Sequence, residues 1–171
     1  CPPEWCTRPL EQVLRTMVQI ITSVHNPTVK NLVKLRQRRD RDRQHLLLID
    51  GARALRLALQ NAFPVSTIYF AEEVAHTHVD LLQRARGTGV TLQEVSAAVF
   101  RKIGYGDNPD GILGFASQPE ASLTALPVTG LPLYVVTEGL EKPGNLGAIL
   151  RSADASGVTG LIVCDSHTDV W

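Results

Sequence analysis

Three residues in the last third of the chain have types and spacing that could do chemistry. They are Asn145, Gly147 and Arg151, within the stretch EGLEKPGNLGAILRSADASGVTGLIV from Glu138 to Val163. Four apart, Gly147 and Arg151 share one face of a helix. A glycine there leaves the backbone open to close approach. A helix start carries free N–H groups and the positive end of the dipole, which suit a phosphate or another anion. An arginine beside it adds a fixed charge and a planar fork. The same residues also fit a bland arrangement, with Asn145 as a plain N-cap, Gly147 packed on a sheet and Arg151 paired with Asp154 at i+3. The pattern is not the dinucleotide fingerprint G-x-G-x-x-G, and no Gly-Lys-Ser/Thr makes it a P-loop. It describes an anion-friendly strand–loop–helix and names no reaction.

A second group lies near the start. Lys30, Lys34, Arg36, Arg38, Arg39, Arg41 and Arg43 face only Asp40 and Asp42, a net +5 within fourteen residues of a chain whose formal charge is zero. A local basic block on a neutral protein suits phosphates, although a solvated helix face has the same composition. The three cysteines, Cys1, Cys6 and Cys164, have neither disulfide-framework nor zinc-site spacing. His76 and His78 lack partnering ligands and read as a polar loop, so no metal is expected. No apolar run approaches the roughly 20 residues of a membrane span. The first sixteen residues have no apolar signal core. A cytoplasmic protein is expected. Met17 is the only methionine and organised sequence follows it, so residues 1–16 are expected to be a non-native or disordered leader.

The elements that must position these groups follow from periodicity. Val18–Ile21 is β-prone. Asn26-Pro27 signals a helix start, which runs with helical spacing into the basic block. Leu46–Asp50 has the length and continuous apolar character of a buried strand, and Gly51 opens a helix with Ala52, Leu55, Leu59 and Ala62 on one side. Strands at Val65–Phe70, Val90–Val95 and Ile112–Ala116 alternate with helices at Val79–Arg86 and Ser96–Ile103, and GYGDNPDG (Gly104–Gly111) reads as an exposed turn. The alternation predicts an α/β unit over 17–118 with a largely parallel sheet. Pro119–Gly130 reads as a linker. A strand at Leu133–Thr137, a loop to Gly144, a helix at Asn145–Ser156 and a strand at Gly160–Cys164 then start a second α/β unit over 131–171. That piece is small for an independent domain.

The stretch PGNLGAILRSADASGV resembles motif 1 of the SpoU (TrmH-type) RNA 2'-O-ribose methyltransferases, N-x-G-x-x-x-R, with Asn145, Gly147 and Arg151 at its positions. LLLIDGARALRLAL and GDNPDGILGFAS resemble segments of the small, ribosomal-protein-like RNA-binding domain that precedes the catalytic domain in that family, with Asp50-Gly51 where Glu-Gly is usual. The resemblance implies a small α/β RNA-binding domain followed by the first strand–helix–strand of an α/β trefoil-knot domain. It implies methyl transfer from S-adenosyl-L-methionine to a ribose in rRNA or tRNA, with Arg151 catalytic and Asn145 its companion at the substrate. It also implies a homodimer in the full-length form. The donor-binding loops would fall beyond Trp171, so the chain as given is expected neither to bind the donor tightly nor to methylate RNA.

Arginine is a poor base, because a guanidinium hardly deprotonates in proteins. Arg151 is therefore expected to stabilise developing charge on the ribose oxygen and a neighbouring phosphate. Gly147, the basic block from Lys30 to Arg43, and Tyr105 as a stacking residue are the expected RNA contacts. The competing reading is a non-catalytic RNA-binding α/β module. A nucleotide-binding oxidoreductase is disfavoured, since its glycines are missing.

Overall fold

Asn26 begins the first helix by accepting a hydrogen bond from the Thr28 N–H at 2.8 Å, and Pro27 fills the position where a missing N–H costs nothing. In the computed structural model, which describes residues 19–105, 110–120, 122–128 and 130–170, this helix is α1 (Pro27–Lys34). Residues 1–16 and Met17 lie outside the described residues, as do residues 106–109 of the expected turn. The chain divides into two compact units, the first ending at Ser117 and the second starting at Gln118.

The first unit continues through α2 (Arg38–Gln44), β1 (Leu46–Asp50), α3 (Ala52–Gln60), β2 (Val65–Ala71), α4 (Glu72–Thr77), α5 (Val79–Gly87), β3 (Thr91–Val95), α6 (Ala97–Ile103) and β4 (Ile112–Ser117). The strand order is β1-β4-β2-β3. β4, buried from Ile112 to Ala116, lies at the centre, flanked by β1 and β2. Its alternating side chains divide the core. Leu113 and Phe115 pack with Val29, Leu32 and Leu35 of the α1 region and with Val99, Phe100 and Ile103 of α6. On the opposite face, Gly114 brings β4 against Leu55 of α3, and α3 packs on α5. Helices thus cover both faces, which is why the strands read as continuous apolar runs.

The expectation of a largely parallel sheet is corrected here: the sheet is mixed. β2 and β3 are parallel, whereas β4 runs antiparallel to both β1 and β2. The reason is where the chain re-enters. The Gly51 N–H donates to the Ile112 carbonyl and the Ala71 N–H to the Gly111 carbonyl. β4 therefore begins at the edge where β1, β2 and β3 end, so it runs against them. The outer side of β3 is met by a single bridge at Ile21, all that remains of the expected strand in the described residues.

Gly51 makes the β1–α3 turn possible. Its φ is +82°, and a Cβ there would stand 2.7 Å from an Asp110 carboxylate oxygen.

The second unit holds a parallel pair, β5 (Tyr134–Glu138) and β6 (Gly160–Cys164), joined by α7 (Pro143–Ala155), which buries Leu146 and Ala153. Residues 119–130, expected to be a linker, belong to this unit. Leu123–Ala125 forms a 3₁₀ turn, Leu126 lies against Gly160, and the Tyr134 hydroxyl donates to the Pro127 carbonyl.

Candidate functional site

α7 starts at Pro143, two residues earlier than the sequence pattern suggested. The residue before a proline is pushed to extended backbone, and Lys142 (φ −113°, ψ 128°) becomes the N-cap, with no side-chain capping bond. Asn145 therefore sits inside the first turn, and the plain N-cap arrangement is excluded. Backbone donors here are also fewer than expected. Pro143 has no N–H, and those of Asn145 and Leu146 both turn to the Lys142 carbonyl, at 3.0 and 3.4 Å. What this end offers an anion is mainly its dipole and the nearby side chains.

Asn145 and Arg151 are both exposed. The Arg151 guanidinium lies back along the helix, with Nη1 3.6 Å from where a Gly147 Cβ would stand. Gly147 thus leaves open the ground over which Arg151 reaches toward the helix start. Among the described residues Arg151 forms no ion pair, with Asp154 or any other acid, so its donors face solvent.

The loop before α7 is held from behind. The Gly139 N–H donates to the Cys164 carbonyl, and the Leu140 carbonyl accepts from the N–H groups of His167 and Thr168 at 3.0 and 3.1 Å. Thr168 is buried in this clamp. Residues after β6 carried no visible motif, so sequence reasoning missed them; their polarity, S-H-T, was the only signal.

In the first unit the basic block is divided by a turn. Lys30 and Lys34 lie exposed on α1, one helical turn apart. Arg36 is exposed in the turn, and Arg38, Arg39 and Arg43 are exposed on α2, with Arg38 3.5 Å from Asp42. A reciprocal amide pair, Asn31 with Gln44 at 3.0 and 3.1 Å, ties the two helices together. Arg101 and Lys102 are exposed cations on α6, which packs against α1.

Arg41 is the exception to the expected RNA-facing row. It is 6% exposed, and its Nη1 donates to the carbonyls of Leu35 and Arg36 at 2.9 and 3.1 Å. A cation at the negative end of α1 holds the turn in place; it is not displayed to a phosphate. Tyr105, expected in an exposed turn, is half-buried. Its hydroxyl lies 3.4 Å from the Leu35 carbonyl, and the Arg36 guanidinium carbon stands 5.2 Å from its ring centroid. Burial raises the Tyr105 phenol above its ordinary range, opposed by Arg41 and Arg36. Nearby Asp50 is also raised, first by burial and then by the charge of Asp110.

His76 lies on α4 and His78 between α4 and α5. His78 Nδ1 lies 3.2 Å from Arg56, which holds Asp80 with two nitrogens. Among the described residues no cluster could hold a metal ion, and no helix is long and apolar enough to cross a membrane.

Residues 26–114 match the MRM3-like substrate binding domain. The chain belongs to that family, and with it to the SpoU (TrmH-type) RNA methyltransferases. It is 34% identical over 148 residues to an uncharacterised tRNA/rRNA methyltransferase of Synechocystis, covering 86% of this chain and 53% of that protein. It is 29% identical to a 23S rRNA (uridine(2479)-2'-O)-methyltransferase of Streptomyces viridochromogenes, covering 80% of this chain and 48% of that protein. Among solved structures, an AdoMet-bound rRNA methyltransferase from Sinorhizobium meliloti superposes with a TM-score of 0.71 at 28% identity, covering 88% of this chain and 56% of that one. The SpoU methyltransferase AviRb from Streptomyces viridochromogenes, in complex with AdoMet, gives 0.69 at 26%, covering 86% and 56%. The chain thus spans about half the length of these relatives.

The second unit contains an open hollow of about 560 Å³ between α7, β6 and the 120–126 segment. Its lining is apolar except for Glu120, Ser122 and Cys164; Glu120 could meet the ammonium or sulfonium of S-adenosylmethionine, and no basic side chain there meets its carboxylate.

Proposed function

We propose that this chain supplies the substrate-binding unit and the first strand–helix–strand of an RNA 2'-O-ribose methyltransferase. It would act on rRNA or tRNA with S-adenosylmethionine as donor, in the cytoplasm and as a homodimer. The observation that carries the reading is Arg151, exposed and unpaired with acid, lying over the bare backbone of Gly147 beside the start of α7. The exposed cations on α1 and α2 support it, since they can grip phosphates while unit two meets the target ribose.

In this reading Arg151 and Asn145 meet the ribose and its phosphate. The guanidinium donates hydrogen bonds to oxygens that gain negative charge as the 2'-hydroxyl loses its proton. It does not act as the base; solvent or a substrate phosphate takes the proton. The donor supplies the methyl group, and in this reading the 171 residues alone bind RNA without methylating it, since the hollow beside α7 offers the donor's carboxylate no basic side chain.

Methyl transfer by the complete protein tests this. Arg151→Lys keeps the charge and loses the fork, and is expected to lower kcat with little change in RNA affinity. Near-normal turnover would remove Arg151 from the chemistry. Micromolar donor binding by the 171-residue chain in titration calorimetry would overturn the expectation that it lacks a donor site.

A further inference from the structure

The turn between α1 and α2 is built more rigidly than phosphate binding requires. The Leu35 and Arg36 carbonyls are both held by the buried Arg41. Tyr105 reaches the same Leu35 carbonyl from a segment seventy residues away. On this fixed backbone the Arg36 side chain stands over the Tyr105 ring, 5.2 Å from its centroid. The ring's other contacts half-bury it, yet Arg36 is exposed. Among the described residues no carboxylate pairs with Arg36. A cation that only attracted phosphate would be equally useful on a flexible stem. A guanidinium held against an aromatic ring is a flat, oriented surface, and nucleobases stack on such surfaces.

We propose that Arg36, backed by Tyr105, is a platform on which one unpaired RNA base stacks, while Lys34, Arg38 and Arg39 on either side of the turn take the flanking phosphates. This rests on the reading that the basic face binds RNA, and makes it specific: the face prefers single-stranded or loop RNA over a uniform duplex. Tyr105 serves as the backing of the platform, with Arg36 over one face of its ring. The arrangement is tolerant of base identity, since every base has a π-face.

The test uses the 171-residue chain and two RNAs of equal length, one unstructured strand and one duplex, with affinity measured by fluorescence anisotropy. Arg36→Lys keeps the charge and removes the plane. It should weaken the single strand by about fivefold or more, the range of one stacked base, and leave the duplex unchanged. Tyr105→Leu, which removes the backing ring, should shift the single strand in the same direction. A 2-aminopurine reporter in the single strand should be quenched on binding to the native chain and not to Arg36→Lys. Equal loss on both RNAs, or no loss on either, overturns the platform while leaving the basic face as an RNA binder. No binding of either RNA at low salt overturns both.

Discussion

Replacing Arg41 by methionine should cost stability and leave the electrostatics of RNA binding unchanged, the reverse of what its place in a run of arginines suggests. The side chain is 6% exposed and donates to two carbonyls, at 2.9 and 3.1 Å. A hydrogen bond to a charged group contributes about 1.5–3 kcal/mol, so two bonds bracket a loss of about 3–6 kcal/mol. Relief from holding a buried charge offsets part of it, which leaves about 3 kcal/mol. For a unit of this size each kcal/mol moves Tm by about 4–8 °C, and a fall of at least about 12 °C is expected by circular dichroism. RNA affinity measured well below that Tm, as a function of salt, should keep its logarithmic slope. Exposed Arg39→Met should do the opposite, with Tm nearly unchanged and a slope smaller by about 0.7–0.9, one phosphate contact. A stable Arg41→Met with a flattened slope would refute the assignment of Arg41 to the fold.

Gly147→Ala should stabilise α7 by up to about 1 kcal/mol, since alanine is the better helix former; its methyl meets Arg151 Nη1 at an ordinary 3.6 Å, so methyl transfer by the complete protein should fall only because the methyl covers backbone the substrate approaches, and unchanged turnover would mean the bare backbone is not used. Gly51→Ala should destabilise the first unit by about 2 kcal/mol or more, from a φ of +82° and a Cβ 2.7 Å from Asp110, and thermal melts that match the native chain would contradict this. Asp50→Asn should raise Tm at pH 7. Burial and Asp110 lift the folded carboxyl above its unfolded value, so ionising it costs stability as pH rises through the carboxylate range. The gain should vanish near pH 3, where both states are protonated, and an equal gain at both pH values would point to another cause.

Element positions were largely legible because buried strands are apolar runs cut by glycines and turns, as at Leu46–Asp50 before Gly51 and Ile112 after Gly111. Strand direction was not legible. Periodicity carries no arrow, and β4 runs backward because it begins at the edge of the sheet where β1 and β2 end. The start of α7 was half legible. Asn145 looks like a cap, yet Pro143 already marks the first helical position, and the preceding Lys142 is the residue forced extended. Nor could spacing show that Arg41, alone among the exposed-looking cations, is buried, since that depends on where α1 ends over the core. The pairing of Arg36 with Tyr105 joins residues 69 apart and needed the fold. The Asn145–Gly147–Arg151 constellation itself was readable, because it lies within two turns of one helix.

In the proposed function one face of each unit meets RNA, the α1–α2 face of the first and the start of α7 in the second. Photo-crosslinking the 171-residue chain to 4-thiouridine-bearing rRNA fragments, with the linked peptides identified by mass spectrometry, tests this most directly. The predicted crosslinks fall within residues 30–43 and 143–151. Crosslinks confined to α3 and α5 on the opposite face of the sheet, or none at all at low salt, would contradict it.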